Sequence, residues 1–252
     1  MNKKYISLIV AATLLTACGG GSSSSSKNDG EGSIDFSEYY PNQSMTKTFI
    51  TIEKEIGSEM ADKSHYDEII EVVANTITTT EDGEIVEKVS ISDKNITITS
   101  IDEDITEVDN MYRYIDLGDT LISEKRNFTE NNDLGKVTTT IDYTCTVKSK
   151  EEKFKKDDNI YSGDLLKIEC IAEGEVLYEV KQSLLDAGVA TELNGVHNIY
   201  DKSYVYLKKG LGEVVYMNDD CIPNIKLPMV INDKAKASSC KTKQYDYQFY
   251  LP

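Results

Sequence analysis

Four of the five cysteines are the residues whose type and spacing suit a definite chemistry: Cys145, Cys170, Cys221 and Cys240. They form no Cys-x-x-Cys pair, and neither histidine lies at zinc-ligand spacing from them, so the pattern disfavours a zinc site. In an oxidising compartment, an even number of cysteines favours disulfide bonds, and four cysteines allow three pairings. We therefore expect two disulfides, with no metal and no cofactor.

The surrounding sequence favours pairing Cys145 with Cys170 and Cys221 with Cys240. The first two cysteines lie on the apolar faces of two predicted strands, and the charged connection between these strands fits a hairpin that brings them together. The second two flank a proline-bearing loop whose ends a bridge would hold together. On a loop-closure estimate, each disulfide contributes about 3 kcal/mol to stability.

The fifth cysteine, Cys18, follows a short apolar segment near the start of the chain. Lys3 and Lys4 precede an apolar run from residue 6 to residue 15. That run has the length of a signal peptide and is too short to span a bilayer. Its end, Leu15-Thr16-Ala17-Cys18, resembles the lipobox of bacterial lipoproteins. The resemblance implies cleavage before Cys18 and acylation of its sulfur and its new amino group, and several acyl chains hold a protein firmly at a membrane.

These features predict three segments. Residues 1–17 are the signal peptide, residues 18–33 are a lipid-anchored flexible linker rich in glycine and serine, and residues 34–252 form a single β-rich domain. Gly19 follows the lipid-bearing cysteine, and the sorting rule of enteric lipoproteins then implies the outer membrane. We expect a lipid-anchored protein of the cell envelope, on either its periplasmic or its surface side.

The charge of the chain restricts its partners. The net charge is −17 at pH 7, and removal of residues 1–17 would take away two further lysines and no acid. Such a chain repels nucleic acid and anionic lipid headgroups. We expect no nucleic-acid partner, contact with the membrane through the anchor on Cys18, and an envelope protein of unknown identity as any further partner.

The chain contains none of the common catalytic or nucleotide-binding motifs, such as Gly-x-Ser-x-Gly, His-Glu-x-x-His or a phosphate-binding glycine loop. His65 lies in a polar stretch, and His197 lies in a segment that we predict to be a loop, so both are expected at the surface. Neighbouring carboxylates arise by chance in so acidic a chain, as in Asp102 with Asp104, Glu107 with Asp109, and Asp219 with Asp220. We predict no catalytic residue.

Alternation of apolar and polar residues dominates the chain after the linker. The clearest case is a run in which every second residue faces the same side: Val137, Thr139, Ile141, Tyr143, Cys145 and Val147. Turn signals recur about every ten residues, which favours strands joined by hairpins. We predict a mainly all-β fold, an antiparallel meander forming a curved sheet, half-barrel or barrel-like domain, with at most one or two short helices.

Two segments are less regular. Residues 64–77 fit either a helical stripe or a strand, and their β-branched residues favour a strand. The segment Leu184 to Gly195 breaks the alternation and is expected to form a short helix or an irregular loop.

The hairpin predicted for Tyr204 to Met217, with the turn Gly210-Leu211-Gly212, is similar to a late hairpin in curved-sheet envelope lipoproteins of unknown function. The resemblance supplies no catalytic residue. We expect a lipoprotein that acts by binding or as an envelope scaffold, without catalysis. One alternative is a carrier of lipid or another hydrophobic ligand on the concave face of the sheet. The other is a carboxylate-dependent envelope hydrolase, which requires at least two acids with raised pKa in one pocket.

Overall fold

The computed structural model describes residues 33–54, 60–102, 105–131, 135–188, 194–222 and 242–252. These residues form an almost entirely β structure, as predicted, with one 3-10 turn at Phe36–Tyr39 and one short helix, α1, at Gln182–Asp186. The strands, in chain order, are β1 (Ile34–Asp35), β2 (Met45–Lys54), β3 (Asp62–Val73), β4 (Thr76–Glu81), β5 (Glu84–Ile91), β6 (Asn95–Asp102), β7 (Ile105–Tyr112), β8 (Tyr114–Ile115), β9 (Thr120–Asn131), β10 (Gly135–Lys156), β11 (Asn159–Val180), β12 (Gly195–Lys208), β13 (Gly212–Ile222) and β14 (Thr242–Leu251).

Twelve of the strands form one antiparallel sheet in the order β7-β6-β5-β4-β3-β2-β14-β13-β12-β11-β10-β9. The sheet consists of two meanders, β2 to β7 and β9 to β14, joined by the pairing of β2 with β14. The less regular segment at residues 64–77 lies on β3 and β4, which confirms the strand prediction. The meander follows from the short turns between successive strands.

The sheet curves until its two edges approach each other. In a flat sheet, β7 and β9 would lie about 50 Å apart, at about 4.8 Å per strand spacing. The connection between them is residues 113–119, which span at most about 25 Å. Met111 on β7 and Ile122 on β9 belong to one buried cluster, together with Ile70, Ile98 and Cys145. The sheet therefore wraps around this cluster, and we call the face that carries it the inner face.

The predicted disulfide between Cys145 and Cys170 is present. The two residues are direct cross-strand partners on β10 and β11, with Cα atoms 4.1 Å apart, and both side chains are buried in the inner core. Cys221 lies on β13, whereas Cys240 and Cys18 lie outside the described residues. The second disulfide and the lipid anchor stay predictions.

The segment that precedes β2 fills one part of the inner core. Phe36 and Tyr39 are almost fully buried there, and Tyr40 is 8% exposed. Asp35 fixes the segment by accepting hydrogen bonds from the guanidinium of Arg113, the closest at 2.7 Å, and its pKa is lowered chiefly by this contact. β1 also pairs with β8, so the segment before β2 contacts the connection between the two sheet edges.

The turn between β12 and β13 packs against the same segment. Gly210 and Gly212 adopt φ values of +77° and +76°, which glycine tolerates without strain. The Gly210 amide donates to the carbonyl of Glu38, and a Cβ on Gly212 would lie 3.1 Å from Pro41 Cδ. The two glycines therefore serve both the turn and its contact with the segment before β2.

The far end of the β10–β11 hairpin folds over the outer face of the sheet. The Phe154 ring on β10 lies 6.5 Å from the Phe249 ring on β14, although β11, β12 and β13 separate these strands in the sheet order. Irregularities in the β10–β11 register, between residues 147 and 149 and between residues 151 and 153, allow the bend. A second buried cluster results, to which Tyr161, Tyr206 and Val215 also belong.

Candidate functional site

Strand β2 places a lysine on the inner face. Met45, Lys47, Phe49 and Thr51 alternate along this face, and Lys47 is only 2% exposed. A lysine is almost never buried to this degree unless it is paired, since removing its charge from water is costly. Lys47 therefore marks a polar region inside the curved sheet.

Three glutamates surround this lysine, and a fourth, Glu81, adjoins one of them. Glu68 on β3 lies directly opposite Lys47, and Glu81 on β4 lies directly opposite Glu68. Glu87 on β5 lies opposite Thr79, two positions before Glu81. Glu213 on β13 approaches Lys47 from the side of the sheet beyond β14. All four side chains are half-buried. We call these five residues the interior acid cluster.

The ammonium of Lys47 is bound by a carbonyl and by aromatic rings. Its Nζ donates a hydrogen bond to the backbone oxygen of Glu213. The same atom lies 4.6 Å from the ring centroid of Phe49 and 5.6 Å from that of Tyr250. The Tyr66 ring stacks on Phe49 at 5.2 Å. Cation–π attraction contributes most where the cation has lost water, as it has here.

The enclosure of the cluster shifts its acid–base equilibria. Burial, followed by repulsion from neighbouring carboxylates, raises the pKa of Glu87 and of Glu213 to about 8 and that of Glu81 to about 7. Burial also raises the pKa of Glu68, and the charge of Lys47 opposes this shift. Burial lowers the pKa of Lys47 against the attraction of the glutamates. At neutral pH the cluster therefore retains protons that exposed glutamates would have lost.

Polar side chains continue along the inner face beyond the cluster. The Tyr66 hydroxyl on β3 donates to Oε1 of Gln248 on β14 at 3.1 Å. Asn218 on β13 donates through Nδ2 to Asp201 on β12 at 3.3 Å. The inner face thus has an apolar part, which holds the disulfide, and a polar part, which runs from the interior acid cluster along β13 and β14.

Among the described residues, the Tyr40 hydroxyl, Asn218 Oδ1 and Asp201 Oδ1 are buried polar atoms of this region with no hydrogen-bond partner. Tyr40 lies close enough to Glu87 for that carboxylate to add to the effect of burial and raise the tyrosine pKa further. Asn218, like Tyr40, is 8% exposed. Buried polar atoms in proteins are normally satisfied by protein, water or ligand, so these atoms need partners beyond the described protein groups.

The sequence did not point to the residues of the cluster. Both faces of β2 carry apolar residues, because Ile50 and Ile52 pack against the second buried cluster, on the outer face of the sheet. Alternation alone therefore does not reveal which face is the inner one. The usable signal was the position of Lys47 between Met45 and Phe49, two large apolar residues with the same orientation.

The two histidines lie outside the cluster. His65 is exposed on β3, in agreement with the expected surface position. The loop predicted for His197 is wrong: this residue lies on β12, directly opposite Val176 of β11. The long strand β11 supplies backbone partners along the whole of β12, and this pairing overrides the polar local sequence.

Within the described ranges, no group of three or more histidine, cysteine, aspartate or glutamate side chains could hold a metal ion. Among the same residues, no helix is long and apolar enough to cross a membrane. The chain matches no protein-family model, no curated protein and no solved structure in the comparisons made with each.

Proposed function

We propose that the chain is a membrane-anchored envelope protein that acts without catalysis, by binding a ligand at the interior acid cluster. The carrying observation is that the curved sheet brings one fully buried lysine and four half-buried glutamates together on its inner face. A buried ionic group costs stability compared with apolar packing, so its retention favours a functional role. Export and lipidation at Cys18 would place this site in the cell envelope.

A thermal-unfolding experiment tests the binding function. We expect small molecules extracted from the cell envelope to raise the unfolding midpoint of the wild-type protein, since a ligand that binds only the folded state stabilises it. The variant Glu87→Gln/Glu213→Gln should lose this increase. Glu71→Gln/Glu175→Gln, which changes two exposed residues, should keep it. If the extract raises the unfolding midpoint of neither the wild type nor the control, the proposal is contradicted.

The alternative function, transport of a lipid or another hydrophobic ligand, has less support. A carrier of this kind needs an open apolar surface on the inner face. The apolar part of that face packs against Ile34, Phe36 and Tyr39 from the protein's own segment before β2. The rest of the inner face carries the interior acid cluster, where an apolar ligand would displace the partners of charged groups.

A carboxylate-dependent envelope hydrolase is the second candidate. The raised pKa values of Glu87 and Glu213 favour it, because a general acid must keep its proton near neutral pH. Release of soluble fragments from purified cell-wall glycan by the wild type, and its loss in Glu213→Gln but not in Glu71→Gln, would establish hydrolysis. The binding function predicts no release by any of the three proteins.

The proposed lipid anchor on Cys18 can be tested separately. We expect Cys18→Ala to remove palmitate labelling and to move the protein from the membrane fraction to the soluble fraction. Cys221→Ala keeps Cys18 and serves as the control, with labelling and fractionation unchanged. Labelling that persists in Cys18→Ala would contradict lipidation at this residue.

A further inference from the structure

We propose that the interior acid cluster binds a flexible organic polyamine, a cation with two or more ammonium groups separated by methylene chains. The inference rests on the proposed function, because it names the class of ligand for the same site. The charges, the aromatic contacts and a buried hydroxyl with no hydrogen-bond partner among the described residues each support it independently.

The charges of the cluster require cations. Three carboxylates face the ammonium of Lys47 and a fourth, that of Glu81, adjoins Glu68, so protons neutralise part of the excess negative charge. An ammonium ligand can take the place of these protons, since it brings positive charge and hydrogen-bond donors to the same carboxylates. Binding should therefore release protons from Glu87 and Glu213.

Lys47 shows how the site recognises an alkylammonium group. Its ammonium donates a hydrogen bond to a backbone carbonyl and lies over two aromatic rings, near several carboxylates. Its methylene chain is buried. These are the contacts that proteins use for amine ligands. A ligand ammonium beside Glu81 and Glu87 would meet the same carboxylate chemistry.

A buried hydroxyl next to the carboxylates supports a ligand at the cluster. The Tyr40 hydroxyl has no hydrogen-bond partner among the described residues, and it lies within electrostatic range of Glu87. The carboxylates of the cluster lie on four different strands, β3, β4, β5 and β13. A polyamine can place separate ammonium groups against carboxylates on different strands, whereas a compact metal ion needs them to converge. The metal alternative also lacks a convergent group of ligands among the described residues.

The proposal predicts a specific pH dependence. The ionisable groups that face the cluster or its neighbours are Tyr40, Lys47, Tyr66, Glu68, Glu81, Asp82, Glu87, Glu213 and Asp246. Among these, Glu81, Glu87 and Glu213 change charge near neutral pH, while an aliphatic amine stays protonated. Affinity should increase from pH 6 to pH 8.5, by about tenfold per pH unit for each proton released. Exposed carboxylates are ionised throughout this range, so adsorption to the acidic surface should not change.

Calorimetric titration of the purified, full-length mature protein with spermidine at pH 6.0 and pH 8.5 tests the proposal. We expect binding at least about tenfold tighter at the higher pH, with a heat that depends on the buffer because protons are released. Glu87→Gln/Glu213→Gln should lose both the tight binding and the proton release. The exposed variant Glu71→Gln/Glu175→Gln should retain both. Circular dichroism establishes that each variant is folded.

Two outcomes overturn the proposal. Absence of binding at both pH values would mean that the cluster holds protons and water only. Binding that is independent of pH, or weakened equally in the two double variants, would mean adsorption to the acidic surface. If spermidine fails while the envelope extract still stabilises the wild type through Glu87 and Glu213, the ligand class is wrong and the binding function stands. If both experiments fail, the proposed function is wrong.

Discussion

Replacing Lys47 by methionine is expected to lower the free energy of unfolding by about 3 kcal/mol at pH 8 and to have little effect at pH 5.5. At pH 8 the glutamates around Lys47 are losing their protons, and its ammonium compensates their charge. Methionine keeps an unbranched apolar chain and removes this compensation. At pH 5.5 Glu81, Glu87 and Glu213 are protonated, so the lysine charge has little to neutralise on them.

The direction of the effect follows from proton linkage. The pKa values of Glu81, Glu87 and Glu213 are raised in the folded state, so their contribution to stability is complete below about pH 4.5 and is lost as the pH rises through 7 to 8. The lowered pKa of Lys47 acts in the opposite direction, because the folded state gives up that proton more readily than the unfolded chain. Without Lys47, the glutamate pKa values should rise further, and the loss of stability with pH should be steeper.

Urea unfolding of the wild type and Lys47→Met at pH 5.5, 6.5, 7.5 and 8 measures the effect. Lys88→Met, at an exposed position on β5, is the matched control and should follow the wild-type pH dependence. An equal loss of stability in Lys47→Met at every pH would show that packing alone, without charge compensation, explains the role of Lys47.

Removing the disulfide in the variant Cys145→Ala/Cys170→Ala is expected to lower the free energy of unfolding by about 3 kcal/mol. The bond closes a loop across a sequence separation of 25, which restricts the unfolded chain. It also joins β10 and β11, the two longest strands. In the inner core the bond lies next to the cross-strand pair Val147 and Ile168. Alanine fits both positions without new strain but leaves part of the sulfur volume empty.

Equilibrium unfolding with and without a reducing agent separates this bond from the other cysteines. The reductant should destabilise the wild type, and its remaining effect on the double variant reports any disulfide formed by Cys221 and Cys240. Equal stability of the oxidised wild type and the double variant would contradict a stabilising role. Thr144→Ala, at the strand position next to Cys145, is a control for substitution within β10.

The sequence contained enough information for the fold class and one disulfide. Hairpin-connected strands interact with their chain neighbours, so local alternation and turn residues predict most of the pairing. Cys145 and Cys170 follow from the same pattern, because both occupy the apolar face of adjacent strands. The loop predicted around His197 failed where the length of β11 imposed strand pairing on a polar segment.

The interior acid cluster could not be predicted in this way. Its members lie on five strands, and β13 and β2 come together only because β14 pairs with both. The carboxylates look like ordinary solvated residues of an acidic chain until the sheet closes around them. The β10–β11 hairpin adds to the ambiguity, because Phe154 and Tyr161 cover the outer face of the sheet. The outward-facing residues of β2, Ile50 and Ile52, are therefore apolar as well.

The sequence by itself determined most of the segments that become strands, how neighbouring strands pair, and that two cysteines meet across a hairpin. These properties depend on residues close along the chain. Only the tertiary structure decided which face of each strand is enclosed, because curvature and long-range pairing set the burial of every inner side chain. Burial in turn gives Lys47, Glu87 and Glu213 their altered proton affinities, and with them the chemistry on which the proposed function rests.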